Sequence, residues 1–473
     1  MATDLGTSRG CSCKPDSPQP RPKSSRVDII KNSPFVVCRY DTDISILPRK
    51  HLVELRNIPA AKLSAIKVQI SNLVHNWTYS SFLEHSDLHF RVIERKLAPE
   101  LPKYLLLAKE EMHCIWDTIM PQNEDWATVD IQRVIRRLVA GISSRLFLGS
   151  PICRDPRWLD LALEFPSDVN QTAFALRALP SWLHPLIARL LPSRRRMKKK
   201  LDLAAQILAP TMDSMSRQGE TDGQSENETL LQWMMDHGNT QETRLHEMAT
   251  RSCLLMLASI HSTTMAVTHV LFDLCSHPEW FEELRDEIRD TSHKLGPMDA
   301  NDIVPRWLSS LEKMDSLLVE SQRLHPPIIL SPQREALAPI TLHDGTHIPQ
   351  GCRVAFAASC YPDASHSTSD AERFDPMRSY RKRHAAAHQR NRHLAGQISP
   401  DNLVFGYGRF ACPGRAFAVT EVKMILVDLL SSCEFKLPDG VQGLECRSAD
   451  EIVYPIPEAR IVMRRREKLL SHI

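Results

Sequence analysis

Cys412 is the side chain best placed to do chemistry in this 473-residue chain. It lies in FGYGRFACPGRAFA, Phe405 to Ala418, between a glycine-rich loop and a helical pattern that runs to about Leu430. Gly406, Gly408 and Gly414 remove side chains where backbone must approach a large flat partner, and Pro413 suits a first helical turn. A thiolate there meets the positive end of the helix dipole and unsatisfied N–H groups. The spacing therefore predicts a favoured charged form and a metal ligand. Phe405, before the cysteine, supplies an aromatic wall. The plainer alternative is a buried structural thiol.

Two further groups of residues bear on that loop. Glu320 and Arg323 fall on one face of an amphipathic helix with the apolar stripe Leu311, Met314, Leu318, stopped by His325-Pro326-Pro327. From about Thr243 to Ser276 runs a single helical pattern, roughly 50 Å long at about 1.5 Å per residue. Its apolar middle, Leu254 to Ala258, gives way to Ser259-Ile260-His261-Ser262-Thr263-Thr264. Such hydroxyls commonly bond back to carbonyls one turn earlier.

In combination these residues resemble the cytochrome P-450 family, whose loop reads F-x-x-G-x-[RH]-x-C-x-G. The resemblance implies haem b held by Cys412, with Phe405, Gly406, Gly408 and Gly414 forming the loop. Phe410 departs from the pattern, standing where most members place Arg or His against a haem propionate. Arg409 beside it is one substitute. Arg334, beyond the E-x-x-R helix, aligns with a family residue that pairs a propionate. Phe374-Asp375-Pro376-Met377-Arg378 resembles F-x-P-E-R-F, which makes Arg378 the third member of a structural cluster with Glu320 and Arg323. A rival register, Ala371-Glu372-Arg373-Phe374, would use Arg373.

The resemblance also implies that the long helix lies over the haem face. Its [AG]-G-x-[DE]-T-[TS] pattern aligns Ala258 with the small residue, His261 with the acid and Ser262 with the threonine. His261 would then relay protons near neutral pH, and Ser262 would hydrogen-bond dioxygen at the haem. Another register gives the alcohol role to Thr263.

Composition narrows the classes. Lysine and arginine number 59 against 57 acids, so no basic excess points to nucleic acid. The 12 cysteines show one C-x-C, Cys11 and Cys13, and no C-x-x-C pair, which suggests neither zinc nor a disulfide framework and suits a reducing compartment. No G-x-G-x-x-G follows a strand, so electrons are expected from a separate NADPH-dependent reductase. No run of about 18 apolar residues is present. The expected location is intracellular, cytosolic or peripheral on the endoplasmic reticulum membrane.

The positioning elements are mainly helical. Strands are expected near Phe35 to Ser45 and Ile340 to Ala357, the latter with a hairpin turning at Asp344-Gly345. Residues 1–33 read as a disordered leader without an anchor, and 34–473 as one domain, mainly α with a smaller β region. Arg217 to Asn227 reads as a linker, and Arg381 to Gln397, with His384, His388 and His393, as an inserted loop. The basic run Arg194 to Lys200 follows the apolar Trp182-Leu183-His184-Pro185-Leu186-Ile187, a pairing suited to a membrane surface.

Segments beginning at Pro48, Arg137 and Leu231 are similar to filamentous-fungal members that tailor secondary metabolites. The implied activity is a monooxygenase acting on an apolar terpenoid, meroterpenoid or indole-diterpene intermediate. Two other readings are a haem-thiolate isomerase or dehydratase needing no reductase, and a non-catalytic haem-binding relic.

Overall fold

Apolar residues at helical spacing dominate the chain, and the computed structural model is accordingly a helical body with small sheets at its edge. It describes residues 33–218, 229–296, 303–358 and 373–466. The leader, the Cys11/Cys13 pair, most of the expected 217–227 linker and residues 371–372 of the rival register lie outside them.

The helices are α1 (Leu52–Arg56), α2 (Ala65–Leu73), α3 (Leu88–Val92), α4 (Leu101–Ile119), α5 (Ile131–Leu148), α6 (Pro156–Arg177), α7 (His184–Leu190) and α8 (Pro192–Gln218). There follow α9 (Leu230–His237), α10 (Leu245–Ser276), α11 (Trp280–Leu295), α12 (Ile303–Ser309), α13 (Glu312–Leu324), α14 (Arg378–His384) and α15 (Arg415–Ser432). A π-helical turn, Ile93–Leu97, extends α3.

Helix α10 is the axis of the body. Among the described residues it alone is long and apolar enough to cross a membrane, but most of its apolar stretch is buried against α5, α6, α8, α13 and α15. It is a core helix.

The largest sheet joins β1 (Phe35–Cys38), β2 (Asp43–Ile46), β8 (Arg353–Ala357), β5 (Leu330–Ala336) and β3 (Leu63–Ser64), in that order. The hairpin β6 (Ile340–Thr341) and β7 (His347–Ile348) turns at Gly345, whose φ of 85° suits glycine. Two more groupings close the C-terminal end: β4 (Ala127–Val129) with β12 (Ile461–Arg465) and β9 (Cys433–Lys436), and β10 (Cys446–Ala449) with β11 (Ile452–Pro455).

A buried charge network ties these edges to the helices. Arg39 in the β1–β2 turn binds Asp41 at 2.7 Å and Glu451 at 3.1 Å. Arg177, at the end of α6, binds Asp41 at 3.1 Å and Asp450 of the β10–β11 turn at 2.6 Å. Asn72 bridges Arg39 and Arg353 with its side-chain oxygen. Such a network is costly to break at one member, because the remaining charges stay buried.

Candidate haem-binding and active site

The loop before α15 is a tight backbone hairpin. The Cys412 N–H donates to the Phe405 carbonyl at 2.8 Å, and Ala411 N–H donates to Gly408 at 3.1 Å. Gly406 and Gly408 have φ of 77° and 76°, a left-handed conformation that favours glycine. At Gly408 a side chain would also strike the Arg56 stem, 3.0 Å from the position of a Cβ. Gly414 has neither constraint. It is the N-cap of α15, so Pro413 lies one residue before the cap rather than in the first turn.

Cys412 lies beneath the surface with part of its area open. Burial pushes its thiol pKa up, against the N–H groups of Gly414 and Arg415 and the Arg415 charge, which pull it down. The helix terminus acts in the expected direction, yet desolvation outweighs it.

Glu320, Arg323 and Arg378 are brought together. Glu320 is 1% exposed and accepts from Arg323 at 2.8 and 2.9 Å and from Arg378 at 3.3 Å. Asp375 N–H adds a bond to the same carboxylate at 3.0 Å. Arg373 enters through its backbone carbonyl, which accepts from Arg378 at 3.0 Å. Arg378 thus reaches the Glu320 carboxylate with its side chain, and Arg373 joins through its backbone.

On α10, Ala258 and Ser262 are exposed although the helix around them is buried. They stand one turn apart, so they form a single uncovered stripe. Ser262 Oγ donates to the Ala258 carbonyl at 3.0 Å. His261 and Thr263 point to either side of this stripe. Thr263 is buried, so it does not share the open face, and it lies close enough to Glu421 of α15 to favour that carboxyl's charged form. Glu421 is itself fully buried, and its carboxyl is raised to about 8 by desolvation.

The His261 ring lies 5.1 Å from Tyr454 of β11, and its Nε2 is buried without a partner. Burial, then Arg136, lowers its pKa to about 4. That places the imidazole in its neutral form at physiological pH, with one ring nitrogen able to donate and the other to accept.

Arg334 is a half-buried cation. Its guanidinium donates to the carbonyls of Gln333 at 2.7 Å and Tyr407 at 3.2 Å, and burial lowers its pKa to about 10. It stays charged without a carboxylate on either bond. Phe410 sits beside it, with Arg334 5.4 Å and Arg409 5.8 Å from the ring centroid. A haem would fit these residues: Cys412 could ligate iron, Arg334 could meet a propionate, and the Ala258–Ser262 stripe is uncovered.

Other expected features resolve differently. Arg381 to Gln397 begins inside α14 rather than as a loop. His384 pairs with Glu312 at 2.8 Å, while His388 and His393 bond Gln389 at 2.9 and 3.0 Å. No metal-binding group of His, Cys, Asp or Glu occurs among the described residues. Within the basic run, Arg196 and Lys200 each hold Asp168 at 2.7 Å, and Arg194 lies over Trp77 and Tyr79. Sequence reasoning missed a second buried cluster behind the loop, in which Asp315 binds Lys423 at 2.7 Å and Arg383 at 3.8 Å. No motif marks its members.

The family model "Cytochrome P450" matches residues 84–463. The chain is 40% identical over 443 residues to "Cytochrome P450 monooxygenase ATR4" of Stachybotrys chlorohalonatus, covering 93% of this chain and 84% of that protein. It is 34% identical to "Ent-kaurene oxidase P450-4" of Gibberella fujikuroi, covering 92% and 85%. A retinoic acid-bound cyanobacterial CYP120A1 structure superposes with a TM-score of 0.65 at 17% identity, covering 92% of both chains, and shares the fold. A thiol loop of this build, a buried Glu-Arg-Arg cluster and relatives aligned over nine-tenths of the chain place the protein in the cytochrome P450 family, as a haem-dependent monooxygenase.

Proposed function

We propose that the protein inserts one oxygen atom from O2 into a C–H bond of an apolar terpenoid-type intermediate of fungal secondary metabolism, using electrons from an NADPH-dependent reductase. The observation that carries this reading is Cys412 at the head of α15 combined with the uncovered Ala258–Ser262 stripe on α10. The substrate class rests on relatives named ent-kaurene oxidase. The same names favour oxidation over the isomerase and relic readings.

When bound, thiolate-ligated haem supplies the O2 activation and C–H oxidation. The protein's own residues do the rest. Cys412 would hold the haem iron, on a backbone fixed by the glycine hairpin. Arg334 would meet a propionate. Because the Ser262 proton is engaged by Ala258, its oxygen presents lone pairs to the open face, where it orients a water that carries protons inward. Neutral His261 fixes the flank of that face against Tyr454.

Residues 34–473 act as one domain in this reading. Its membrane contact is the exposed ridge Trp182, Leu186 and Leu190, which are 76%, 60% and 59% exposed. Four-residue spacing puts them on one side of α7 and the turn before it. Contact with the endoplasmic reticulum membrane would be peripheral.

The test is spectral and then catalytic. Purified protein should bind one haem, and its reduced carbon-monoxide complex should show the strongly red-shifted Soret band of thiolate ligation. Cys412→Ala should abolish the band; retention would sink the assignment. With a reductase and candidate diterpenes, product formation should consume NADPH and O2, whereas turnover without either would favour the isomerase reading.

A further inference from the structure

We propose that a cleft over the Cys412 loop is a carboxylate site, in which Arg56 of α1 supplies a second cation beside Arg334, and that a carboxylate of the haem occupies it. This rests on the family reading above. It concerns how the chain manages without the basic residue that Phe410 displaces.

The cleft has a volume of about 220 Å³ and is lined by three arginines, Arg56, Arg334 and Arg409, with Tyr407 and Phe410 among its walls. None of its lining residues among those described is acidic. Glu54 on the same short helix as Arg56 is turned away, accepting from His343 N–H at 2.8 Å. Asp344 is held by Lys50 at 2.8 Å. Three like charges around one small cavity repel one another, and an anion in the cavity relieves all of them.

The aromatic rings set the guanidinium positions. Arg334 and Arg409 both stack near Phe410, and Arg56 lies 5.7 Å from the Tyr407 ring centroid. The Tyr407 carbonyl accepts from Arg334, so Arg56 and Arg334 converge on one residue from ring and backbone. Gly408 permits this, because a side chain there would meet the Arg56 stem at 3.0 Å. Phe410 thus carries no charge itself but anchors two cations by cation–π contact. Planar guanidinium groups are suited to a carboxylate, which accepts two parallel bonds.

The same chemistry has two sources: a haem carboxylate reaching out, or an acidic side chain of the electron donor reaching in. The holoprotein distinguishes them through transfer of haem to excess apomyoglobin, followed spectrally, in wild type and Arg56→Gln. Arg56→Gln should speed haem loss about tenfold, the effect of one charge-assisted bond. Adding Phe410→Arg should restore the slow rate, and Arg56→Lys should restore part of it. Protein reconstituted with iron protoporphyrin dimethyl ester should show no difference between wild type and Arg56→Gln.

Unchanged haem loss in Arg56→Gln with weakened reductase binding would overturn the haem assignment and give the cleft to the partner. Haem loss and reductase binding both unchanged would overturn the carboxylate site. A wild-type protein without a thiolate-ligated haem band would instead fail the family reading, a result visible before any variant is made.

Discussion

Arg378 reaches the Glu320 carboxylate at 3.3 Å with Nε, and its Nη2 reaches the carbonyl of Arg373 at 3.0 Å. One arginine therefore contributes a side chain to the buried cluster and the other only backbone. Arg378→Ala should cost about 3–5 kcal/mol by leaving Glu320 short of a counter-charge. Arg373→Ala should be close to neutral. Haem content per purified chain measures both, and the reverse ranking would show that Arg373 is the functional member.

The open stripe of α10 separates two adjacent alcohols. Ser262→Ala should keep the haem spectrum while O2 and NADPH consumption is diverted from product to hydrogen peroxide. Thr263→Ala should leave coupling intact, because its side chain is buried away from the open stripe. Product formed per O2 consumed, with a thermal melt of each variant, checks the assignment. Uncoupling in Thr263→Ala alone would show that the alcohols were exchanged.

His269 offers a pH test away from the haem loop. It is buried, both ring nitrogens lack partners, and burial lowers its pKa to about 3, with His325 stacked 4.7 Å away. The unfolded side chain takes a proton near about 6.5. Between these values the unfolded chain binds more protons than the folded one, so stability rises with pH across that window. His269→Leu should flatten the slope by nearly one proton, read from urea unfolding between pH 4 and 6. An unaltered slope would place the effect on other buried histidines, His89 among them.

Much of this site was legible because its members lie close together in the chain. Glu320 and Arg323 share a helix face, and the Cys412 loop carries its own turn chemistry in Gly406 and Gly408. Helix α10 was legible from one helical pattern, Thr243 to Ser276, too long for any other element. Three features were hidden, each for a physical reason. The Asp315, Lys423 and Arg383 cluster joins separate helices, and nothing local requires its charges to meet. The Cys412 and His261 protonation states follow from burial, which depends on the assembled fold. The Arg56 placement depends on a side chain missing at Gly408, remote in sequence.

The apolar ridge before α8 should govern membrane contact. Changing Trp182, Leu186 and Leu190 together to Ser should reduce co-sedimentation with phospholipid vesicles. Neutralising Arg196 and Lys200 should matter little, because both are engaged by Asp168. Loss of binding only in the basic variants would reassign the contact to electrostatics.

The network of Arg39, Asp41, Arg177, Asp450 and Glu451 also bears on the order of synthesis. Arg39 and Arg177 emerge from the ribosome long before their acidic partners in the β10–β11 turn, and β4 must wait for β12. Until that hairpin appears, closing the fold would bury two cations, Arg39 and Arg177, against the single carboxylate of Asp41. The β10–β11 hairpin thus acts as a completion signal, and a transcript that stops short of β10 should yield a protein taken by proteases rather than a smaller enzyme.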